Sequence, residues 1–275
     1  MKITALMDNI SLQDDLYSEH GLSLYIETED KRILFDTGKT GLFYENAELL
    51  GIDIAQVNVV ILSHGHYDHG GGLGVFFEHN NHAQVYVAKG AFDMRYGIRE
   101  SGEQAYIGLD QSLKGHPQIC EMEGFVRLDN KMTVFSGVTG GYPRPVANGN
   151  LVSLSEEGVM FLDDFEHEQN LMIEEKGKRF LFAGCAHNGI CNIVEYATET
   201  LGLKPDYVIG GFHLHNRLET LCATEGDVAE VAQVLLESGA VFYTGHCTGE
   251  VAYEQLKDIM GDHIFYLSVG MMLTF

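Results

Sequence analysis

Hydrophobic residues recur along this chain in short runs that end in glycine and polar side chains, a pattern typical of buried strands followed by loops. The run at residues 57–62 is continuously apolar and rich in β-branched side chains, as expected for a strand covered on both faces. Further apolar runs occupy residues 179–183, 207–209 and 241–243, and a histidine follows each of them within a few positions. We therefore expect several strand ends to carry chemically active side chains.

Other stretches predict the elements that surround these strands. Alternation over residues 24–28 and 32–38, with a polar turn between them, predicts a β-hairpin. Apolar residues at helical spacing predict helices over residues 189–201, 225–238 and 250–260. The pattern favours an α/β (α+β) fold in which two sheets pack between helical layers, an αββα four-layer sandwich. Residues 78–149 are richer in glycine and charge, so we expect loops or short helices that border the functional site.

Composition limits the class of protein. A chain of 275 residues can form one large domain, and without a linker or repeat we expect a single domain over residues 1–275. With 40 acidic and 17 basic side chains, the net charge of −23 argues against a nucleic-acid partner. No apolar run reaches about 18 residues, so we expect no membrane span and a cytoplasmic protein. The five cysteines are odd in number and predict no disulfide framework, and the sequence leaves a homo-oligomer open.

The strongest chemical pattern follows the first apolar run. His64, His66, Asp68 and His69 form an H-x-H-x-D-H cluster just beyond residues 57–62. Imidazole and carboxylate ligands suit zinc, iron or manganese, and an open coordination position would make the metal a hydrolytic catalyst. An exposed histidine-rich loop is the alternative, but the tight spacing directly after an apolar strand favours metal binding.

This cluster resembles the signature of the metallo-β-lactamase superfamily and implies its fold. The resemblance implies that His64 and His66 bind one metal ion, while Asp68 and His69 bind a second. It also implies two divalent cations, most simply zinc, with a bridging hydroxide between them that they activate. Asp68 would then be one of the catalytic residues. Asp36, at the end of the predicted hairpin, matches a carboxylate that orients a histidine ligand in relatives, although a role in a turn stays open.

The remaining ligands are expected at the later strand ends. Many relatives carry Gly-Asp where this chain has Gly184-Cys185, so either Cys185 supplies a thiolate or His187 completes the shell, and we favour His187. His246 follows the apolar run at 241–243 and resembles the last ligand of the superfamily. His213 follows residues 207–209 and is our candidate for general acid/base or substrate binding, with a strand-end cap as the alternative.

Three further residues near the predicted site are candidates for secondary roles. His167 and Glu168 are reserve ligands with a structural alternative. Arg144 follows a rigid proline and is a candidate clamp for an anionic substrate, with a plain surface position equally open. His20, His79, His82, His116 and His263 have no strand-end pattern and are interpreted as surface groups.

A narrower resemblance links segments from almost the whole chain. They are Asp8-Asn9, Phe35-Asp36-Thr37-Gly38, Tyr142-Pro143-Arg144, Gly184-Cys185-Ala186-His187-Asn188-Gly189, Gly210-Gly211-Phe212-His213-Leu214 and Gly245-His246-Cys247-Thr248-Gly249. Together they resemble the subgroup named for the dihydropterin ribofuranosylaminobenzene phosphate synthase. We expect a metallohydrolase acting on a small anionic substrate, which would be a phosphoester, a cyclic phosphate or a pterin-related compound. A synthase-like transferase or lyase, a non-catalytic pterin- or nucleotide-binding metalloprotein, and a di-iron redox protein remain alternatives.

Overall fold

The computed structural model describes residues 1–155 and 157–275. The strands of this part of the chain are β1 Lys2–Met7, β2 Ser23–Glu27, β3 Arg32–Phe35, β4 Val59–Ile61, β5 Gln84–Ala88, β6 Arg95–Ile98, β7 Gln104–Tyr106, β8 Ile119–Met122, β9 Phe125–Arg127, β10 Met132–Ser136, β11 Leu151–Leu154, β12 Met160–Leu162, β13 Gln169–Glu175, β14 Lys178–Phe182, β15 Tyr207–Ile209, β16 Val241–Thr244, β17 Ile264–Tyr266 and β18 Met272–Thr274. Its α-helices are α1 Leu42–Leu49, α2 Tyr67–Gly70, α3 Leu73–His79, α4 Ile190–Glu195, α5 Glu225–Ser238 and α6 Glu250–Met260. A π-helical turn, Tyr196–Thr200, continues α4.

Two large sheets form the centre of the molecule. The first has the order β18-β1-β2-β3-β4-β5-β8, and the second has the order β17-β16-β15-β14-β13-β10-β9. Strands β3, β4, β5 and β8 run parallel, as do β14, β15, β16 and β17. A smaller sheet, β12-β11-β6-β7, is antiparallel throughout.

Side chains alternate between the two faces of each strand, and this alternation builds the layers. In β4, Val59 and Ile61 pack between the two sheets, whereas Val60 packs under α1 and α3. In β14, Phe180 and Phe182 enter the same inter-sheet core, and Leu181 faces the layer of α4, α5 and α6. The result is helix, sheet, sheet, helix, so the predicted αββα sandwich is confirmed.

Local sequence determines where the elements begin and end. Helix α5 begins after Thr224, whose hydroxyl accepts from the Asp227 amide while the Asp227 carboxylate accepts from the Thr224 amide. It ends before Gly239, which has φ 73°. None of the helices in residues 1–155 and 157–275 combines the length and apolarity needed to cross a bilayer.

The prediction of loops or short helices for residues 78–149 was wrong. This stretch forms strands β5 to β10, and β10 is a buried strand of the second sheet. The hydrophobic runs there are short and interrupted by glycine, so the strands depend on pairing. Some pair locally, as β6 with β7 and β9 with β10, and others pair with distant strands, as β5 with β4 and β10 with β13. The turn between β6 and β7 does border the candidate site, since Arg99 lines its pocket.

Candidate metal centre

The candidate ligands gather where the parallel strands of both sheets end. After β4 the chain turns through His64 and His66 into the short helix α2, which carries Asp68 and His69. Gly65 makes this turn possible, because a Cβ atom there would lie 2.2 Å from the Ala91 carbonyl oxygen. The loops after β14 and β16 bring His187 and His246 to the same place.

One pair of imidazoles joins the two sheets at the first part of the centre. The Nε2 atoms of His64 and His187 lie 3.3 Å apart. The Asn148 amide nitrogen donates to the His187 carbonyl at 2.8 Å, so its oxygen accepts from His187 Nδ1–H at 2.9 Å. The ring of His66 lies 4.6 Å from that of His64 and 4.9 Å from that of His187, measured between centroids.

A second pair of imidazoles lies beside the first. The Nε2 atoms of His69 and His246 are 3.1 Å apart, and Asp68 Oδ2 is 3.5 Å from His246 Nε2. Asn9 donates to the His246 carbonyl at 3.2 Å and accepts from His246 Nδ1–H at 2.9 Å. Because the Asn9 side chain holds the proton on Nδ1, the Nε2 atom of His246 carries a free lone pair.

Asp36 lies beneath both pairs and fixes the protons of two rings. Its carboxylate accepts from the Ser63 amide at 2.6 Å, the Ser63 hydroxyl at 2.7 Å and His69 Nδ1–H at 2.6 Å. Because the Ser63 hydroxyl proton is used in this way, Ser63 Oγ accepts from His64 Nδ1–H at 2.8 Å. In each of the four paired rings, therefore, Nδ1 carries a proton and Nε2 points toward another Nε2.

Burial keeps most of these rings neutral. It lowers the pKa of His64, His66 and His187 well below the usual value, and neighbouring histidines lower it further. Burial also lowers the pKa of His246. His69 differs: burial would lower its pKa, but Asp36 raises it to about 9, so a cation at its Nε2 has to displace one proton.

This donor set fits divalent cations. The Nε2 lone pairs of His64 and His187 face each other without a proton to share, an arrangement that a cation between them would stabilise. In a tetrahedral site with Zn–N bonds of about 2.05 Å, two ligand nitrogens are about 3.3 Å apart. The observed separations of 3.3 and 3.1 Å match that spacing.

Cys185 lies between the two pairs. Its sulfur is within 4.8 Å of ring nitrogens from His64 and His187, and likewise of ring nitrogens from His69 and His246. Burial raises the pKa of its thiol well above the usual value, and a bound cation would reverse that effect. The sequence left Cys185 and His187 as alternatives, but the structure brings both to the centre.

Left-handed backbone conformations mark the loops that carry these groups. Asp36 has φ 61°, Ala186 56°, His213 49° and His246 49°, values that are uncommon for residues other than glycine. Strained backbone of this kind clusters at functional sites, where the surrounding structure holds it in place.

The two reserve ligands have their polar atoms engaged elsewhere. His167 Nδ1 accepts from the Gly65 amide at 2.9 Å, and its Nε2 lies 3.2 Å from Asp163. Glu168 accepts from the backbone amides of His187 at 2.6 Å and Asn188 at 2.9 Å. These hydrogen bonds to His167 and Glu168 therefore stabilise the loops that carry the candidate ligands.

A pocket of about 210 Å³ opens above the centre, and His213 lies on its wall. The ring of His213 is 4.2 Å from that of His187, centroid to centroid. Both ring nitrogens are buried and have no hydrogen-bond partner in the described part of the chain. They are therefore free to meet a ligand.

Two predictions need correction. Arg144 lines a different, largely apolar cavity of about 520 Å³, and its guanidinium donates to the Asp164 carbonyl at 2.9 Å, so it does not face the histidines. His20 is not a plain surface group, because its Nε2 lies 3.2 Å from Asp68 Oδ2. Burial would raise the pKa of Asp68, but hydrogen bonds with His20 and His246 hold it well below its usual value.

Comparison with known proteins agrees with this geometry. The sequence profile of the metallo-beta-lactamase superfamily matches residues 18–213, which contain the H-x-H-x-D-H cluster and extend through His187 to His213. The chain belongs to the metallo-beta-lactamase superfamily. Proteins of this fold usually hold divalent metals, in keeping with the ligand groups described above.

Known relatives align with nearly the whole of this chain. It is 29% identical to the 7,8-dihydropterin-6-methyl-4-(beta-D-ribofuranosyl)-aminobenzene-5'-phosphate synthase of Methanocaldococcus jannaschii, over 99% of this chain and 95% of that protein. It is 27% identical to protein MJ0448 of the same organism, over 98% of this chain and 99% of that protein. The crystal structure of Tm1679, a metal-dependent hydrolase of the beta-lactamase superfamily, superposes with a TM-score of 0.82 at 30% identity, over 100% of this chain and 99% of that one.

Proposed function

We propose that this chain is a metal-dependent hydrolase that acts on a small anionic substrate, such as a phosphoester, a cyclic phosphate or a pterin-related compound. The observation that carries the proposal is the pair of facing Nε2 atoms between His64 and His187, repeated between His69 and His246, below an open pocket. The similarity to Tm1679, a metal-dependent hydrolase of the beta-lactamase superfamily, supports the proposed reaction class.

The proposed ligands divide into two sets. His64, His66 and His187 would hold one ion, and Asp68, His69 and His246 would hold the other, with Cys185 between them. Nitrogen, oxygen and sulfur donors at this spacing suit zinc first, with iron or manganese as alternatives. When bound, two such ions would supply Lewis acidity and a water molecule of lowered pKa.

The remaining residues prepare the pocket for that chemistry. Asp36 and Ser63 hold Nδ1 protons on His69 and His64, so each ring presents only Nε2 to the pocket. We assign His213 to proton transfer at the leaving group, because its free ring nitrogens lie at the wall of the pocket beside His187.

Two measurements test the reaction class. Protein as purified would be analysed for metal content and assayed against phosphomonoesters, phosphodiesters, cyclic phosphates and lactones. We expect two divalent ions per chain and turnover of at least one anionic class. A metal-loaded protein that turns over none of these substrates would contradict the hydrolase proposal.

A substitution tests His213 separately. His213→Ala should lower turnover by about 100-fold, the lower end of the range for general acid–base catalysis, while metal content stays at the wild-type level. His263→Ala is the control, since His263 lies in the turn that follows α6 and does not line the pocket. Unchanged turnover in His213→Ala would remove the assigned role.

A synthase reaction is the second candidate function. It is favoured by the 29% identity to the archaeal synthase across 99% of this chain. Product analysis distinguishes the two, because a hydrolase incorporates oxygen from ¹⁸O-labelled water into its product, whereas a synthase joins two organic fragments.

A further inference from the structure

Two arginines line the pocket above the candidate metal centre in an otherwise acidic protein. They are Arg99 and Arg217, and Asp68 is the one carboxylate among the pocket's lining residues in the described part of the chain. The whole chain carries 40 acidic side chains against 17 basic ones. Two arginines at the same small opening therefore stand out against the overall charge.

Both arginine side chains are available for a ligand. Elsewhere, Arg95 pairs with Asp163 at 3.2 Å, Arg179 pairs with Glu174 at 3.0 Å and Arg32 lies 3.4 Å from Glu27. Within residues 1–155 and 157–275, no carboxylate lies within 4.0 Å of the Arg99 or Arg217 guanidinium, and neither side chain makes a hydrogen bond. An unpaired guanidinium beside a pocket is suited to bind carboxylate or phosphate oxygens.

The two arginines reach the pocket from separate, well-fixed loops. Arg99 forms the turn between β6 and β7, where its amide donates to the Glu103 carbonyl at 2.9 Å. Arg217 follows Asn216, whose amide nitrogen donates to the Ala147 carbonyl at 2.7 Å and to Asn150 Oδ1 at 2.8 Å. Both loops thus bring an arginine to the same pocket.

Tyr67 lines the same pocket as both arginines. Two positive charges at one small pocket match the charge of a phosphate dianion better than that of a single carboxylate.

We propose that Arg99 and Arg217 bind a phosphate monoester group on the substrate that does not itself react, while the reacting group lies over the histidines. The proposal rests on the proposed function, since it names the substrate class of that same site. The substrate is then a small molecule that carries a terminal phosphate at one end and the bond to be broken at the other.

Calorimetric titration with phenylphosphonate tests the proposal, because this dianion is stable to hydrolysis. Arg99→Gln and Arg217→Gln should each weaken binding by about fivefold, the equivalent of about 1 kcal/mol for a partly exposed charge pair. The double variant should weaken binding further and should reduce its dependence on ionic strength. Metal content should not change in any of these variants.

Arg127→Gln is the matched control. Arg127 is also exposed but lies on β9, at the edge of the second sheet and outside the pocket, so its removal subtracts the same charge without affecting binding. Benzoate is the matched ligand control, and we expect it to bind more weakly and with less dependence on the arginines.

The outcomes separate this inference from the proposed function. Metal-loaded protein that hydrolyses substrates but binds phenylphosphonate equally well in the wild type and the double variant would overturn the arginine site alone. Benzoate binding that equals phenylphosphonate binding would overturn the phosphate assignment. Arginine-dependent phosphonate binding without any hydrolysis would support the arginine site and contradict the hydrolase reaction.

Discussion

Replacing Asp36 with asparagine should disrupt the centre without touching any predicted ligand atom. Asp36 is fully buried and accepts three hydrogen bonds, from the Ser63 amide, the Ser63 hydroxyl and His69 Nδ1–H. The first reaches Oδ1 and the other two reach Oδ2. An asparagine has one oxygen, so its NH₂ group must face at least one of these donors.

The magnitude follows from the number of bonds lost. Hydrogen bonds to a charged group are worth about 1.5–3 kcal/mol each, so we expect the free energy of unfolding to fall by at least about 1.5 kcal/mol. Loss of a group that orients a ligand typically lowers metal affinity about 10- to 100-fold. The Asp36→Asn variant should show both effects.

Urea unfolding and competition with a chromogenic chelator measure these quantities. Asp262→Asn is the control, because the Asp262 side chain is fully exposed. Wild-type zinc affinity together with a wild-type unfolding free energy in Asp36→Asn would refute the idea that this carboxylate organises the centre.

Three further substitutions test separate parts of the account. Asn148→Ala should lower zinc affinity about tenfold, because His187 loses the group that fixes its Nδ1 proton; an unchanged chelator competition would speak against this role. Cys185→Ser should reduce the amount of bound metal and Cys185→Asp should retain it, as measured by mass spectrometry of metals. Cys191→Ser is the control, because Cys191 is a buried thiol outside the centre. Full metal content in Cys185→Ser would exclude the sulfur as a ligand. Gly65→Ala should destabilise the protein by about 2–3 kcal/mol in urea unfolding, because its Cβ would lie 2.2 Å from a carbonyl oxygen. The control Gly74→Ala, on helix α3 with nothing within 4 Å of the new Cβ, should stabilise the protein by about 0.5–1 kcal/mol. Equal effects of the two substitutions would contradict the steric argument.

The parts of the fold that depend on local pattern could be predicted from the sequence. The H-x-H-x-D-H cluster follows β4, and residues 225–238 form a helix, because hydrophobic periodicity and capping residues act over a few positions. The strand ends at His187 and His246 were found in the same way, since each histidine follows an apolar run and a glycine within a few positions.

Residues that reach the centre through tertiary packing could not be found by that reasoning. Asn148 lies 39 positions from His187, and Asn9 lies 237 positions from His246, so no local pattern links either amide to its imidazole. The same is true of Arg99 and Arg217, which line one pocket from loops distant in sequence. Arg144 shows the reverse error, because proximity to a rigid proline does not determine which cavity a side chain enters.

Crystallographic anomalous scattering at the zinc edge, on protein saturated with zinc, tests the central claim most directly. The account predicts two ions per chain, one bound by His64 and His187 and the other by His69 and His246. Density that places zinc elsewhere, or that shows His187 and His246 turned away from their partners, would contradict it.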